Sequence, residues 1–252
     1  MNWQWFYQLG SPKWFYQKTH YWQHWLGAFA LMMLVVGAIW GLAFTPMDYK
    51  QGNSFRIIYV HVPASAVSLA GFYIMALAGA AGLIWRVKLQ YTVMSVAAPI
   101  GAILTFLSLV TGAIWGKPTW GTYWQWDARI TFTTVQFFLY LGIIALQQAY
   151  RNQNTADRAC AMLALVGTVN IPIIYKSVDW WYTLHQPATL KLTEKSSIAP
   201  EMAYPLIWMI LAYYICYVWL LISHTNAASL RRERKSSWVQ ALFSDRNATK
   251  VT

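Results

Sequence analysis

Charged residues are scarce in this sequence. Only 11% of its 252 residues are Asp, Glu, Lys or Arg, whereas soluble domains carry about 25%. Hydrophobic residues make up 58% of the chain and aromatic residues 17%. A chain with so few charges cannot cover itself with the charged, mixed surface that keeps a soluble domain dispersed. The composition therefore excludes an ordinary water-soluble fold and indicates a membrane protein.

Several sequence motifs that carry chemistry are also missing. The two cysteines, Cys160 and Cys216, lie in apolar segments, and no CxxC or CxxCH motif occurs. Disulfide exchange and covalent haem attachment by this chain are therefore disfavoured. No GxxxxGK[ST] phosphate loop occurs either, because Gly116-Lys117-Pro118 contains only a fragment of one. We therefore expect any ATP-driven step to belong to a separate subunit.

Long apolar runs are what the sequence does contain. Six of them approach the length of about 20 residues that an α-helix needs to cross a hydrocarbon core. No small-residue cleavage pattern follows the first run, which favours a retained helix over a signal peptide. We predict an all-α integral membrane protein with a single six-helix domain over residues 1–252. The predicted helices cover about residues 25–44, 57–85, 91–115, 132–150, 159–178 and 202–224.

Lysine and arginine are distributed unevenly between the two sides of the predicted bundle. The side of both termini carries 12 of the 19 cations, and the other side carries seven. Cationic segments resist translocation, so we predict that both termini are cytoplasmic. The formal net charge of +11 then needs no nucleic-acid partner. The 12 cations are Lys13, Lys18, Arg86, Lys88, Arg151, Arg158, Arg231, Arg232, Arg234, Lys235, Arg246 and Lys250.

The connection between the third and fourth predicted helices, residues 115–131, is rich in tryptophan. It reads WGKPTWGTYWQWDARIT. Tryptophan favours the headgroup level of a bilayer, so one interpretation is an interfacial aromatic belt. Glycine and proline indicate instead a shaped loop whose indoles form a flat apolar platform for a planar ligand. The residues that would build this platform are Trp115, Gly116, Trp120, Trp124, Trp126, Asp127 and Arg129.

Two of the five histidines fall on the same predicted side as this loop. His61 lies about one turn into the second helix, and His185 lies in the connection between the fifth and sixth helices. A lone histidine in a membrane protein is ordinarily a hydrogen-bonded polar residue. Two imidazoles, an indole platform and Arg129 or Lys117 for the propionates are together the components of a haem site. A tetrahedral zinc site would require two outer carboxylates in addition.

Residues 120–131, WGTYWQWDARIT, resemble the tryptophan-rich signature of the WWD family of haem-handling membrane proteins. The chain length, the six predicted helices and an outer histidine on either side of the signature resemble the CcmC family within it. Tyr123 and Ile130 depart from the pattern, which more often has tryptophan and leucine, but both keep the surface apolar or aromatic. The resemblance implies a haem-binding outer loop with His61 and His185 as axial ligands of the iron.

The same resemblance implies a location and partners. Members of this family are multi-pass proteins of a bacterial inner membrane or an organelle. They work with an ABC-type ATPase, a membrane subunit and a small single-helix subunit, and they present haem b as transient cargo to a periplasmic haem chaperone during c-type cytochrome maturation. By this resemblance the site faces the periplasm, membrane lipid surrounds the helices, and the activity is haem transfer rather than conventional catalysis.

The resulting hypothesis places haem edge-on at the outer surface, near Trp120, Trp124 and Trp126. Arg129 would pair with a propionate, and Asp127 would orient the loop. One alternative is a b-type redox protein in which the same haem passes electrons, although transfer across the bilayer normally needs a second centre. Another is a haem channel within the chain, which would require polar residues along the helices. Such residues are present but sparse, and the sequence leaves this alternative open: Ser65, Ser68, Thr105, Ser108, Thr111, Asn170 and Lys176.

Overall fold

Helices account for most of the computed structural model, which describes residue 8, residues 10–185 and residues 198–248. Within these ranges the only β-structure is an isolated bridge between Asp48 and Gly52. A π-helical turn, Trp40–Phe44, and a 3-10 helix, Asn53–Ile57, accompany the α-helices. The α-helices of the described part are α1 (Pro12–Thr19), α2 (Gln23–Ile39), α3 (Ile58–Trp85), α4 (Lys88–Trp120), α5 (Ala128–Ala149), α6 (Gln153–Gly167), α7 (Asn170–Trp180), α8 (Pro200–Arg232) and α9 (Ser237–Ala248).

Six helical segments of the described chain are long and apolar enough to cross a membrane, which confirms the predicted all-α membrane fold. The predicted ranges match the apolar centres of these segments, but the structure extends most of them at their ends. An apolar run measures the thickness of the hydrocarbon core, whereas helical hydrogen bonding continues into polar residues beyond it. The six segments are Gln23–Phe44, Asn53–Trp85, Lys88–Trp120, Ala128–Ala149, Gln153–Trp180 and Pro200–Arg232.

The fifth membrane segment is interrupted between α6 and α7. Pro172 lies near the start of α7. In a continuous helix its ring would clash with the carbonyl four residues earlier, and proline has no amide hydrogen to donate to that carbonyl. The carbonyl concerned is that of Thr168, in the turn between the two helices. The Asn170 side chain donates a hydrogen bond of 2.9 Å to the Phe132 carbonyl of α5 and so holds the interruption against its neighbour.

The antiparallel helices α3 and α4 form the centre of the bundle. Arg86 adopts a left-handed φ of 55° at the end of α3, and α4 begins almost at once. On one side α5 and α6 pack against this pair around Phe72, Met94 and Tyr140. On the other side α8 packs against it, with α2 outside α8. Of the six membrane segments, those of α3 and α4 are therefore the most buried by neighbouring helices.

The two ends of the bundle differ in chemistry. The basic end, where α3 turns into α4 and α8 ends, contains Arg86, Lys88, Arg151, Arg158, Arg231 and Arg232. There Thr19 and Asn226 are joined by side-chain hydrogen bonds, and Arg232 forms a two-pronged ion pair with Asp157, each contact 3.0 Å long. The opposite, tryptophan end contains the junction of α4 and α5. That the basic end is cytoplasmic stays a prediction from the charge distribution.

Candidate functional site

The tryptophan-rich segment folds as a helix end, a short turn and a helix start, and only its middle is a loop. Trp115, Gly116 and Trp120 belong to α4. Gly121 ends α4 with a φ of 80°, a left-handed conformation that favours glycine. Asp127 precedes α5 as its N-cap, because its Oδ1 accepts a hydrogen bond of 2.9 Å from a first-turn amide.

Gly116 allows this turn to fold back on α4. A Cβ atom there would lie 3.0 Å from the carbonyl oxygen of Thr122 and 3.1 Å from a ring carbon of Trp120. Lys117 is engaged by the same turn, since its Nζ donates to a turn carbonyl at 3.1 Å and lies 5.4 Å from the ring centre of Tyr123. The tight turn therefore fixes the direction in which its indoles project.

A cavity at the tryptophan end lies between α3, α4, α5 and the segment that follows α7. It contains about 680 Å³ of open space, counting the solvent-facing part of its mouth. Its surface is mostly apolar. Six residues predicted from the sequence line it together: His61, His185, Trp115, Trp120, Trp124 and Arg129.

His61 is a buried residue of α3 whose ring orientation is fixed by α4. Its Nδ1 lies 3.0 Å from the carbonyl oxygen of Ser108 and 3.1 Å from Oγ1 of Thr111. A carbonyl only accepts, so Nδ1 carries the proton and Nε2 is the unprotonated nitrogen. The Thr111 hydroxyl donates to the Leu107 carbonyl at 2.6 Å, which leaves its oxygen able to accept from His61. Histidines that ligate metals are commonly held in this way.

Gly112 provides the space for this imidazole. A Cβ atom at Gly112 would lie only 3.0 Å from Cε1 of His61. Trp115 meets the same ring edge-on, with ring centres 5.7 Å apart, and its Nε1 donates to Oε1 of Gln51 at 2.7 Å. One face of α4 therefore supplies the hydrogen-bond acceptors, the space and an aromatic contact for His61.

His185 reaches the cavity from the segment after α7. Its ring centre lies 6.2 Å from that of His61 and 6.3 Å from that of Trp120. The His185 amide donates to Oγ1 of Thr183 at 3.1 Å, and the Thr183 hydroxyl donates to Oδ2 of Asp127. Asp127 therefore connects the start of α5 to the segment that positions the second histidine.

Two hydrogen-bond donors line the cavity beside the histidines. Among the described residues, Arg129 donates a single long bond, 3.4 Å from its Nη1 to the Ile174 carbonyl. The Nε1 of Trp124 is buried and has no hydrogen-bond partner among the residues that the structure describes. A buried indole N–H ordinarily has a partner, so this group is a donor left for a ligand.

The other three predicted residues lie outside the cavity walls. Trp126 is 67% exposed and packs edge-on against Trp124, with ring centres 5.2 Å apart. Gly116 and Asp127 shape the turn and the start of α5. Gly116 and Asp127 therefore support the site from behind, and Trp126 borders it. Contact of Trp126 with a ligand stays a prediction.

Sequence reasoning missed the polar lining that α3 and α4 contribute. Ser108, Thr111, Trp115 and Thr119 recur every three or four residues, so they share one face of an otherwise apolar helix. A polar face on a membrane helix is a signal of function that the sequence did offer. Ser65 and Ser108 had been considered only as residues of a channel. The lining residues that the sequence did not assign to the haem site were Gln51, Ser65, Ser108, Leu109, Gly112, Ala113, Thr119, Ile130 and Thr133.

Comparison with known proteins identifies the family of this chain. Residues 5–240 match the family model described as Heme exporter protein C. The chain is 45% identical to Heme exporter protein C of Haemophilus influenzae over 95% of this chain and 98% of the relative. The values for the Escherichia coli K12 protein are 44%, 96% and 97%, and those for the Rhodobacter capsulatus protein are 35%, 91% and 96%. The six-span chain described here therefore belongs to the CcmC family, Heme exporter protein C.

Proposed function

We propose that this protein binds haem in the cavity at the tryptophan end, with His61 and His185 as the two axial ligands, and that it functions in haem export for c-type cytochrome maturation. The observation that carries the proposal is the pair of imidazoles 6.2 Å apart on the wall of an indole-lined cavity. The names of the relatives, Heme exporter protein C, support the choice of haem as cargo.

The spacing of the two rings suits one metal ion between them. Metal–imidazole bonds are about 2 Å long, so two imidazoles on opposite sides of one ion have ring centres roughly 6 Å apart. The Nε2 of His61 is unprotonated because Nδ1 donates to Ser108. The hydrogen-bond contacts of Nδ1 with Ser108 and Thr111 would hold the ring in the orientation that ligation needs.

The remaining walls match the other parts of haem. Trp115, Trp120 and Trp124 provide apolar area for the porphyrin faces and edges. Arg129 would pair with a propionate, since guanidinium groups bind carboxylates strongly. The N–H of Trp124, which is buried without a partner among the described residues, would donate to a second carboxylate oxygen. These contacts would orient the haem without a covalent bond to this chain.

Presentation of haem to a periplasmic haem chaperone is the delivery step that we propose. Trp126 is largely exposed beside Trp124, so an incoming partner would contact an aromatic surface next to the bound cargo. The charge distribution supports a periplasmic position for this end and an inner-membrane location. An ABC-type ATPase, a membrane subunit and a small single-helix subunit are the proposed partners.

Visible absorption spectra test the haem site directly. The protein would be purified from haem-replete cells as wild type, His61→Ala, His185→Ala and the double variant, with His24→Ala as a control at the basic end. We expect a low-spin bis-histidine spectrum that each site variant loses or alters and that His24→Ala retains. A wild type without haem, or a double variant with an unchanged spectrum, would overturn the site.

A transfer assay tests the delivery step separately. The wild type and the double histidine variant would each be co-expressed with a periplasmic haem chaperone, and haem bound covalently to the chaperone would be measured. We expect loading to depend on both histidines. Equal loading by wild type and double variant, together with normal haem binding by the wild type, would contradict the presentation step alone.

A further inference from the structure

A second cavity opens at the basic end, between α4, α5 and α8. It contains about 1,340 Å³ of open space, counting the part that faces the surroundings. α5 and α8 both pack on α4, which forms the floor between them. The lining residues are Ser95, Val96, Pro99, Ile144, Gln147, Gln148, Gln153, His224, Ala227, Ala228, Arg231 and Arg232.

The cations in this cavity are not equivalent. Arg232 forms an ion pair with Asp157 through two contacts of 3.0 Å. Arg231 is exposed and has neither an ion pair nor a side-chain hydrogen bond among the described residues. His224 is exposed as well, and its Nδ1 lies 2.8 Å from the Leu220 carbonyl, which leaves Nε2 directed to other partners. The cavity therefore has an available positive charge at its mouth.

The walls beside these cations favour an anion. The lining contains the amides of Gln147 and Gln148, and no carboxylate is among the lining residues named above. Gln147 donates to Asp157, whereas Gln148 is exposed at the rim. Amide N–H groups and a guanidinium together form a suitable set of donors for phosphate oxygens.

An apolar surface continues from this polar mouth toward the middle of the bundle. Pro99, Ile103 and Phe106 follow one another at helical spacing on α4, and Ile103 and Phe106 are 68% and 55% exposed. Phe106 approaches Phe137 of α5, with ring centres 5.8 Å apart. The groove thus combines a cationic mouth at the end of a membrane span with an apolar floor along that span.

We propose that this groove binds an anionic phospholipid. Arg231, His224 and the Gln148 amide would hold the phosphate, and an acyl chain would lie along Pro99, Ile103 and Phe106. Basic pockets between membrane helices bind anionic headgroups in this way, each nearby cation adding to the attraction. A free anion would account for the cations but would not use the apolar floor. The occupied groove would join α5 to α8 across α4.

Quantifying co-purified lipid tests the proposal. The full chain would be reconstituted in vesicles of equal parts phosphatidylglycerol and phosphatidylethanolamine, extracted in mild detergent and analysed by mass spectrometry. Arg231→Gln is the test variant, and Arg234→Gln is the matched control, because it removes one charge from the same basic run outside the cavity. We expect the wild type and Arg234→Gln to retain phosphatidylglycerol, and Arg231→Gln to retain about fivefold less.

Four outcomes would overturn the proposal. Equal retention of the two lipids by the wild type would remove the preference for an anionic headgroup, and equal losses in the two arginine variants would remove the site. Displacement of the lipid by millimolar inorganic phosphate would indicate a simple anion site. Loss of the lipid when the chain is purified with co-assembling subunits would indicate a protein occupant. Monodisperse elution of each variant would show that the fold is retained.

Discussion

The Asp127 carboxylate accepts a hydrogen bond from the Thr183 hydroxyl, which joins the start of α5 to the segment that carries His185. Both carboxylate oxygens are used, since Oδ1 caps α5 and Oδ2 receives Thr183. The tryptophan-rich turn and the second histidine are therefore positioned by one side chain. Asp127 lies outside the cavity walls, so we expect it to contribute to haem binding by positioning the turn and His185.

Thr183→Val should weaken haem binding without removing a ligand. The variant deletes the hydroxyl between the Asp127 carboxylate and the His185 amide, and loss of a hydrogen bond to a charged group corresponds to roughly a tenfold or larger loss of haem retention. Retention would be measured by haem titration of the detergent-purified protein. Thr134→Val is the control, because its hydroxyl bonds only within α5. Equal retention by both variants would contradict the positioning role.

Gly112→Ala should disturb the His61 imidazole directly. The new Cβ would lie 3.0 Å from Cε1 of His61, so the buried ring must shift by a few tenths of an ångström, which strains its 3.0 Å contact with the Ser108 carbonyl. We expect an altered or absent low-spin spectrum. Gly142→Ala is the control, since its Cβ would meet only Leu163, at an ordinary 3.5 Å. A normal spectrum for Gly112→Ala would show that haem binding tolerates the added methyl group beside His61 and would contradict this prediction.

Arg129→Gln should lower haem affinity and leave the spectrum unchanged. The guanidinium lines the cavity beside His61 and His185, the proposed iron ligands, and would pair with a propionate instead of the iron. Loss of a charge-assisted hydrogen bond corresponds to about a tenfold weaker affinity. Lys117→Gln is the matched control, because the Lys117 ammonium bonds to the turn. From the sequence alone, either Arg129 or Lys117 could have been the propionate partner. A larger effect at Lys117 than at Arg129 would reverse this assignment.

Asp157→Ala should destabilise the basic end. The Asp157 side chain is 6% exposed, and its removal leaves the Arg232 charge without its carboxylate, at a cost of about 3 kcal/mol. For a chain of this size we expect the melting temperature in detergent to fall by roughly 5–10 °C. Asp179→Ala is the control, since the pair of Asp179 with Lys176 is exposed and contributes about 0–1 kcal/mol. Similar melting temperatures for both variants would contradict the structural role of Asp157.

Much of the fold could be predicted because it depends on local sequence. Each apolar run must satisfy its own backbone hydrogen bonds in a membrane, so run length alone predicts a spanning helix. The six spans and the presence of Trp120, Trp124, Arg129 and His61 near one end followed from this reasoning. The extension of α4 through Trp120 did not, because apolar run length says nothing about where helical hydrogen bonding ends.

The sequence by itself determined the membrane class, the six spans and the set of residue types from which a site could be made. Only the tertiary structure decided which of them meet. The 6.2 Å separation of His61 and His185 depends on how α3, α4 and the segment after α7 pack, and such contacts join positions far apart in the chain. The same packing placed Ser108 and Gly112 against His61 and left Trp126 outside the cavity, because side-chain neighbours across helices are set by packing and not by sequence spacing.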